Sequence, residues 1–271
     1  MLSKPCSGDT IALPMSESVG VAAGLTITVL GCSGSYAAPG GACSGYLVEG
    51  AGVSIWLDAG PGTLANLQRH LDLDTLDAIV LTHAHPDHWV DALPYHNVVR
   101  YIRKRVGVQV YSPGEVRRLA EEVNGRLDPA FDWTVVRDGD RTRIGALTLS
   151  FFRTDHGPET LAVRIDHDDG TSLGYSSDTG AGWSISELGA GLDLALCEAS
   201  LPLDQERTVQ HLTARQAGIS ARAAGARRLV ITHIQPGVDS AESQRQATTA
   251  FGAPVELAAI DERYEITHDP T

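Results

Sequence analysis

The segment Thr82-His83-Ala84-His85-Pro86-Asp87-His88 packs three imidazoles and a carboxylate directly behind an apolar run that ends at Leu81. Those are donors that hold a divalent cation. On an extended strand the side chains alternate with period two, so His83 and His85 share a face and can point at one ion. Asp87 and His88 fall in the first turn of the helix expected next, where the helix dipole also favours a carboxylate, and can serve a neighbouring ion. In a chain of 271 residues with 10 His, chance placement of this pattern is on the order of one in a thousand. Four donors do not complete two catalytic ions, each of which wants three or four protein groups besides water. Strand ends supply further candidates: His156 closes FFRTDH, Asp178 sits in YSSDTG, and His233 closes LVITH. Carboxyl ends of strands are where sites gather. Nitrogen and carboxylate donors suit Zn2+, with Mn2+ or Fe2+ as alternatives.

The elements that must position these groups begin at Leu25. LTITVL, GYLVEG and VSIWLDAG read as consecutive strands, TLANLQRHL as a helix by its apolar spacing, and LDAIVLTH as a buried strand. A helix is expected from Pro86 to about Arg105, kinked at Pro94. VGVQVYS and PGEVRRLAEEV form another strand and helix; FDWTVVRD, ALTLSFFRT, LAVRIDH and TSLGYSS follow as strands with tight turns such as His167-Asp168-Asp169-Gly170. Alternation then resumes with a helix near Trp183 to Leu188, strand LDLALCE, helix TARQAGISARAAG, strand RRLVITH, helix ESQRQATTAF, and strands VELAAI and ERYEIT. Strands in two groups, each with its helices, predict an α/β fold in which two sheets pack face to face with helices outside, a four-layer αββα sandwich. Residues 1–24, rich in Ser, Gly, Pro and Ala without periodicity, read as a loose leader, and residues 25–271 as one domain.

Composition narrows the partners. A formal charge of -13 repels phosphate backbones, and Lys4 and Lys104 are the only lysines, so a nucleic acid polymer is disfavoured. Cys6, Cys32, Cys43 and Cys197 show neither CxxC spacing nor a disulfide framework, which fits a reducing cytoplasm. No stretch is long and apolar enough for a membrane span, and the start lacks a basic segment leading into an apolar one.

HAHPDH, the isolated His156, the strand-end Asp178 and the last histidine resemble the ligand series of the metallo-β-lactamase superfamily, over most of the chain after Leu25. The resemblance implies His83, His85 and His156 on one ion, Asp87, His88 and His233 on the other, and Asp178 bridging them. A carboxylate suits that place, because it offers one oxygen to each cation at the ~3.5 to 4 Å spacing of two-metal sites. Asp58 in LDAGPGT would orient a ligand rather than bind metal; by itself it reads equally as a turn aspartate.

HLTARQAG with CEAS resembles the ribonuclease Z-like branch, in which a histidine paired with the glutamate of a His-Glu-Ala-Thr motif contacts the scissile phosphate. His211 and Glu198 take those places, and Cys197 stands where that motif has histidine. Ribonuclease Z proteins commonly insert a tRNA-gripping arm between the positions matching His156 and Asp178, here only 22 positions apart. ITVLGCSGS, SLGYSSDTG, LGAGLDLALCEAS and LVITHIQP resemble the actinobacterial cyclic-nucleotide phosphodiesterases of the superfamily. Ser177, in place of a common glycine, and the bulk of Trp89, Tyr95 and His96 depart from that pattern and could reshape substrate choice; the bulk is explained as well, and better, by core packing of a long helix.

The expected function is hydrolysis of a small phosphodiester resembling 3',5'-cyclic AMP by a metal-bridging hydroxide, with Asp87 holding the nucleophile and His211, supported by Glu198, neutralising phosphoryl oxygens or protonating the leaving group. The same metal pair could instead hydrolyse a lactone, lactam or thioester, or act as a ribonuclease Z-like endoribonuclease. A non-catalytic scaffold is the reading from another class. The resemblance also implies a homodimer.

Overall fold

The computed structural model describes residues 24–268, so the leader expected over residues 1–24 falls almost wholly outside the described residues. The first sheet is built from β1 (Leu25–Gly31), β2 (Gly45–Gly50), β3 (Val53–Ala59), β4 (Ala78–Val80), β5 (Val108–Ser112) and β6 (Phe131–Val135). The second takes β7 (Arg141–Ile144), β8 (Leu147–Arg153), β9 (Leu161–His167), β10 (Ser172–Tyr175), β11 (Leu194–Glu198), β12 (Arg228–Thr232) and β13 (Glu256–Leu257) in reverse order. The last strand, β14 (Arg263–Ile266), returns to pair antiparallel with β1 and closes the first sheet. β3 through β6 run parallel, as do β10 through β13.

Alternation along the strands sorts the side chains into three apolar layers. Ile27, Val48 and Ile55 of the first sheet meet Phe151, Val163 and Leu196 of the second between the sheets. Leu47 and Trp56 point outward to α1 (Thr63–Leu67), α2 (Ala92–Asn97) and α3 (Gly114–Asn124), contributing Leu67, Tyr95 and Val116. Ala195 and Cys197 point outward on the second sheet, to α4 (Ala214–Ala223) and α5 (Ser240–Phe251). The four-layer αββα sandwich is therefore the observed architecture.

Several elements are shorter than expected. The helix over TLANLQRHL ends at Leu67, and the strand over LDAIVLTH covers Ala78–Val80 alone. The helix expected from Pro86 to about Arg105 is three pieces: a 3₁₀ turn at Pro86–His88, α2, and a π-helical turn at Val98–Arg103. Pro94, where a kink is expected, lies in the first turn of α2, where a missing N–H costs nothing. β7 was not expected; RTRI has no apolar alternation and forms an edge strand with Arg141 and Arg143 exposed.

Candidate dinuclear metal centre

The parallel strands deliver their carboxyl ends to one rim of the sandwich. Asp58 lies near the end of β3, His83 and His85 follow β4, Asp178 follows β10, Glu198 ends β11 and His233 follows β12. His156 arrives from the second sheet after β8. His83 and His85 do not stand on a strand as alternation suggested; the chain is already in an extended loop, with His85 at ψ 134°. They nonetheless meet one another. Asp87 and His88 sit in the 3₁₀ turn, too short to carry the helix dipole invoked for Asp87.

Donor atoms lie within 4.8 Å of one another in His83, His85, His156 and Asp178, and in Asp87, His88 and His233, with Asp178, His211 and His233 a third, overlapping group. In the first, His156 Nε2 lies 3.1 Å from His85 Nδ1. In the second, His233 Nε2 is 3.2 Å from both His88 Nε2 and the Asp87 carboxylate. Asp178 stands between them: one oxygen is 3.5 Å from His83 Nε2, the other 3.3 Å from His88 Nε2 and 3.5 Å from His233 Nε2. His83 Nε2 and one Asp178 oxygen are buried without a hydrogen-bond partner. Orphaned atoms of this kind cost free energy that a cation would recover, so the donor set fits divalent metal.

The outward ring nitrogens are committed elsewhere, which leaves the inward ones bare. His88 Nδ1–H donates to Asp58 at 2.8 Å, His156 Nδ1–H to the Gln210 carbonyl at 2.9 Å, and His233 Nδ1–H to Ser200 Oγ at 2.7 Å. Asp58 is fully buried and also accepts from the Thr82 N–H, the Thr82 hydroxyl and the Tyr175 hydroxyl. It thus ties β3, the metal loop and β10 together. Thr82, Tyr175, Ser200 and Gln210 escaped sequence reasoning. Ser200 stood within the quoted CEAS, but single hydroxyls and a backbone carbonyl carry no spacing signal.

Backbone strain concentrates at the same rim. Asp58, Ser177 and His233 adopt left-handed φ of 56°, 51° and 55°. That conformation explains why glycine is common where Ser177 stands, and Ser177 uses its side chain to donate to Thr82 Oγ1 at 2.7 Å. A Cβ on Gly60 would meet the Asp87 carbonyl at 2.1 Å, so only glycine lets the turn after β3 lie against the metal loop.

Beside the clusters, His211 Nδ1–H donates to Glu198 at 3.0 Å. Glu198 is fully buried and also accepts from Thr179 N–H at 2.6 Å and Ser200 Oγ–H at 2.8 Å. Burial alone would lower the imidazole's pKa, but the Glu198 charge and hydrogen bond, with Asp178 nearby, push it up to about 9. Burial works against the Asp87 carboxylate too, yet the His233 hydrogen bond and the charge of His88 hold it well below the usual range. Cys197 takes no part: it points to the opposite face of β11, into the apolar layer under α4, where burial pushes its thiol well up. Trp89, Tyr95 and His96 are buried in the layer under α2 and α3, as packing required.

Residues 53–234 match the family model of the beta-lactamase superfamily domain. The chain belongs to the beta-lactamase superfamily. Among its relatives, the uncharacterized protein Rv1339 of Mycobacterium tuberculosis is 34% identical across 91% of this chain and 94% of its own. YhfI of Bacillus subtilis is 27% identical over 86% of this chain and 97% of its own. Ribonuclease Z of Myxococcus xanthus is 25% identical over 86% and 95%. The superfamily fold is equally clear in solved structures. The crystal structure of the metallo-beta-lactamase fold protein YhfI superposes with a TM-score of 0.81, covering 89% of this chain and 99% of that one, at 24% identity. A diphosphatase of the PhnP family gives 0.72 over 90% and 98%, at 21% identity.

Proposed function

We propose that this metal-dependent hydrolase of the superfamily cleaves small phosphodiesters, with a 3',5'-cyclic nucleotide resembling cyclic AMP as the preferred substrate. One observation carries the reading: Asp178 presents one oxygen to each of two buried histidine clusters, with the His211–Glu198 pair alongside. His83, His85 and His156 would hold one ion, Asp87, His88 and His233 the other, and Asp178 both. Bound there, two divalent cations would activate water and screen the charge of the phosphate.

The chain's own groups do the rest. Asp87, ionised throughout the physiological range, accepts a hydrogen bond from the attacking water and orients it. With Nδ1 committed to Glu198, His211 meets the substrate through Nε2, neutralising a phosphoryl oxygen or protonating the leaving alkoxide. A persistent cation at that place suits an anionic phosphodiester better than a neutral lactone or thioester. The stretch from His156 to Asp178 is taken up by β9, β10 and their turn, which leaves no arm there to grip tRNA. That, with a charge of -13, favours a small substrate over the RNA of the ribonuclease Z relatives.

The test is metal analysis of the purified protein followed by a panel of cyclic AMP, bis(p-nitrophenyl) phosphate, a lactone, a thioester and precursor tRNA. Two equivalents of divalent metal and turnover of the phosphodiesters are expected. Activity confined to the lactone or thioester rejects the proposal.

A further inference from the structure

The phosphodiesterase reading assigns the phosphate but not the organic group attached to it. A cavity of about 530 Å³ opens beside the His156 and His211 side of the centre, lined by Asp155, the Gly180 to Gly182 turn, and the stretch from Arg207 to Gln210. Its size lies in the range of roughly 300–1,000 Å³ typical of small-ligand sites. Its lining adjoins the centre along the chain and through one hydrogen bond. Asp155 precedes His156, and Gln210 accepts the His156 Nδ1–H on its carbonyl while preceding His211.

The lining offers three kinds of contact. Val209, 56% exposed, gives an apolar surface. Arg207 is held at a left-handed φ of 64° and, among the described residues, forms no ion pair, whereas its neighbour Glu206 pairs with Arg215. An unpaired guanidinium on strained backbone is poised for a ligand. The Asp155 carboxylate is fixed by the Gly182 N–H at 2.8 Å and the Gln210 side-chain amide at 3.2 Å, with lone pairs left to accept more. The groove between α4 and α5, lined by Arg215, Ile219 and Arg245, belongs to the outer helix layer, and none of its lining residues is next in sequence to a residue of the centre.

We propose that this cavity is a nucleoside pocket, in which Val209 and Arg207 cover the face of the base while Asp155 and Gln210 meet its polar edge. The inference rests on the phosphodiesterase reading and adds to it the side of the phosphate on which the nucleoside lies. Ala181→Trp fills the cavity, and Arg207→Ala removes the stacking cation. Tyr36→Ala serves as the control, because Tyr36, 58% exposed with its hydroxyl on the Pro236 carbonyl, stands on the opposite, His233 side.

Kinetics are measured on cyclic AMP and on methyl p-nitrophenyl phosphate, which has no nucleoside, with AMP binding followed by calorimetry. Both cavity variants should raise KM for cyclic AMP and weaken AMP binding by roughly tenfold, while metal content and turnover of the small diester stay unchanged. Equal effects on both substrates, or none on cyclic AMP, overturn the inference and leave the phosphodiesterase reading standing. A selective rise in KM from Tyr36→Ala also overturns it, by putting the base on the other lip. If the unmodified protein turns over the lactone or thioester alone, the underlying reading fails and the pocket assignment falls with it.

Discussion

Glu198 is what makes His211 a cation. Its carboxylate, buried and fed by donors from Thr179, Ser200 and Leu212, outweighs the burial that would otherwise deprotonate the imidazole. Because the raised pKa is about 9, His211 stays charged from neutral pH up to that value, and activity should fall as pH rises through about 9. Glu198→Gln should move that alkaline limb toward the ordinary histidine value of about 6.5, which a pH–rate profile would reveal; an unmoved limb would separate the limb from His211. His211→Ala should retain both metals and lose about 10²- to 10⁴-fold in kcat. Asp178→Ala should lose metal as well as activity, since neither cluster keeps its shared oxygen. Inductively coupled plasma analysis beside kinetics distinguishes the two variants, and a His211→Ala enzyme with normal turnover would sink the assigned role.

Elements matter here through where they stop. β4 ends at Val80, and the metal loop that follows is held by Asp58 from β3, itself fixed by the Tyr175 hydroxyl of β10, rather than by its own regular structure. The broken helix after it illustrates a competition that periodicity cannot resolve. Pro86 and Pro94 each suit the start of a helix, so two short segments form, the 3₁₀ turn that presents His88 and then α2. The outer helices show the converse, a close packing that tolerates no extra atom. Gly218 in α4 faces α5, and a Cβ there would lie 2.6 Å from the Ala247 carbonyl. Gly218→Ala gains about 1 kcal/mol of helix propensity but forces two helices apart, at a typical 1–3 kcal/mol, so a lower Tm with unchanged metal content is expected. Calorimetry that found a higher Tm would show the helices able to yield.

At the scale of the molecule, the candidate metal donors come from both sheets: His83, His85, Asp87 and His88 from the first, His156, Asp178 and His233 from the second. Metal bound only by the folded chain stabilises it by mass action, about 2.7 kcal/mol at a free concentration one hundred times Kd. Stripping metal with a chelator should therefore lower Tm by roughly 5–10 °C in a chain of this size, and re-addition should restore it. Identical melting curves with and without metal would argue against a centre that spans the two sheets.

Sequence alone determined the layered architecture and marked the candidate donors, because alternation, strand-end position and the density of His and Asp in HAHPDH are local properties of the text. Tertiary structure alone decided how near those candidates lie to one another and which groups hold them in place. Asp178 faces both clusters only because β10 lies across from the loop after β4, and Cys197 enters the apolar layer while Glu198 meets His211 because adjacent residues on one strand face opposite layers. The hydroxyls of Thr82, Tyr175 and Ser200, and the Gln210 carbonyl, could be found in no other way: a hydrogen bond depends on distance and angle between segments far apart in sequence, and no spacing along one segment encodes it.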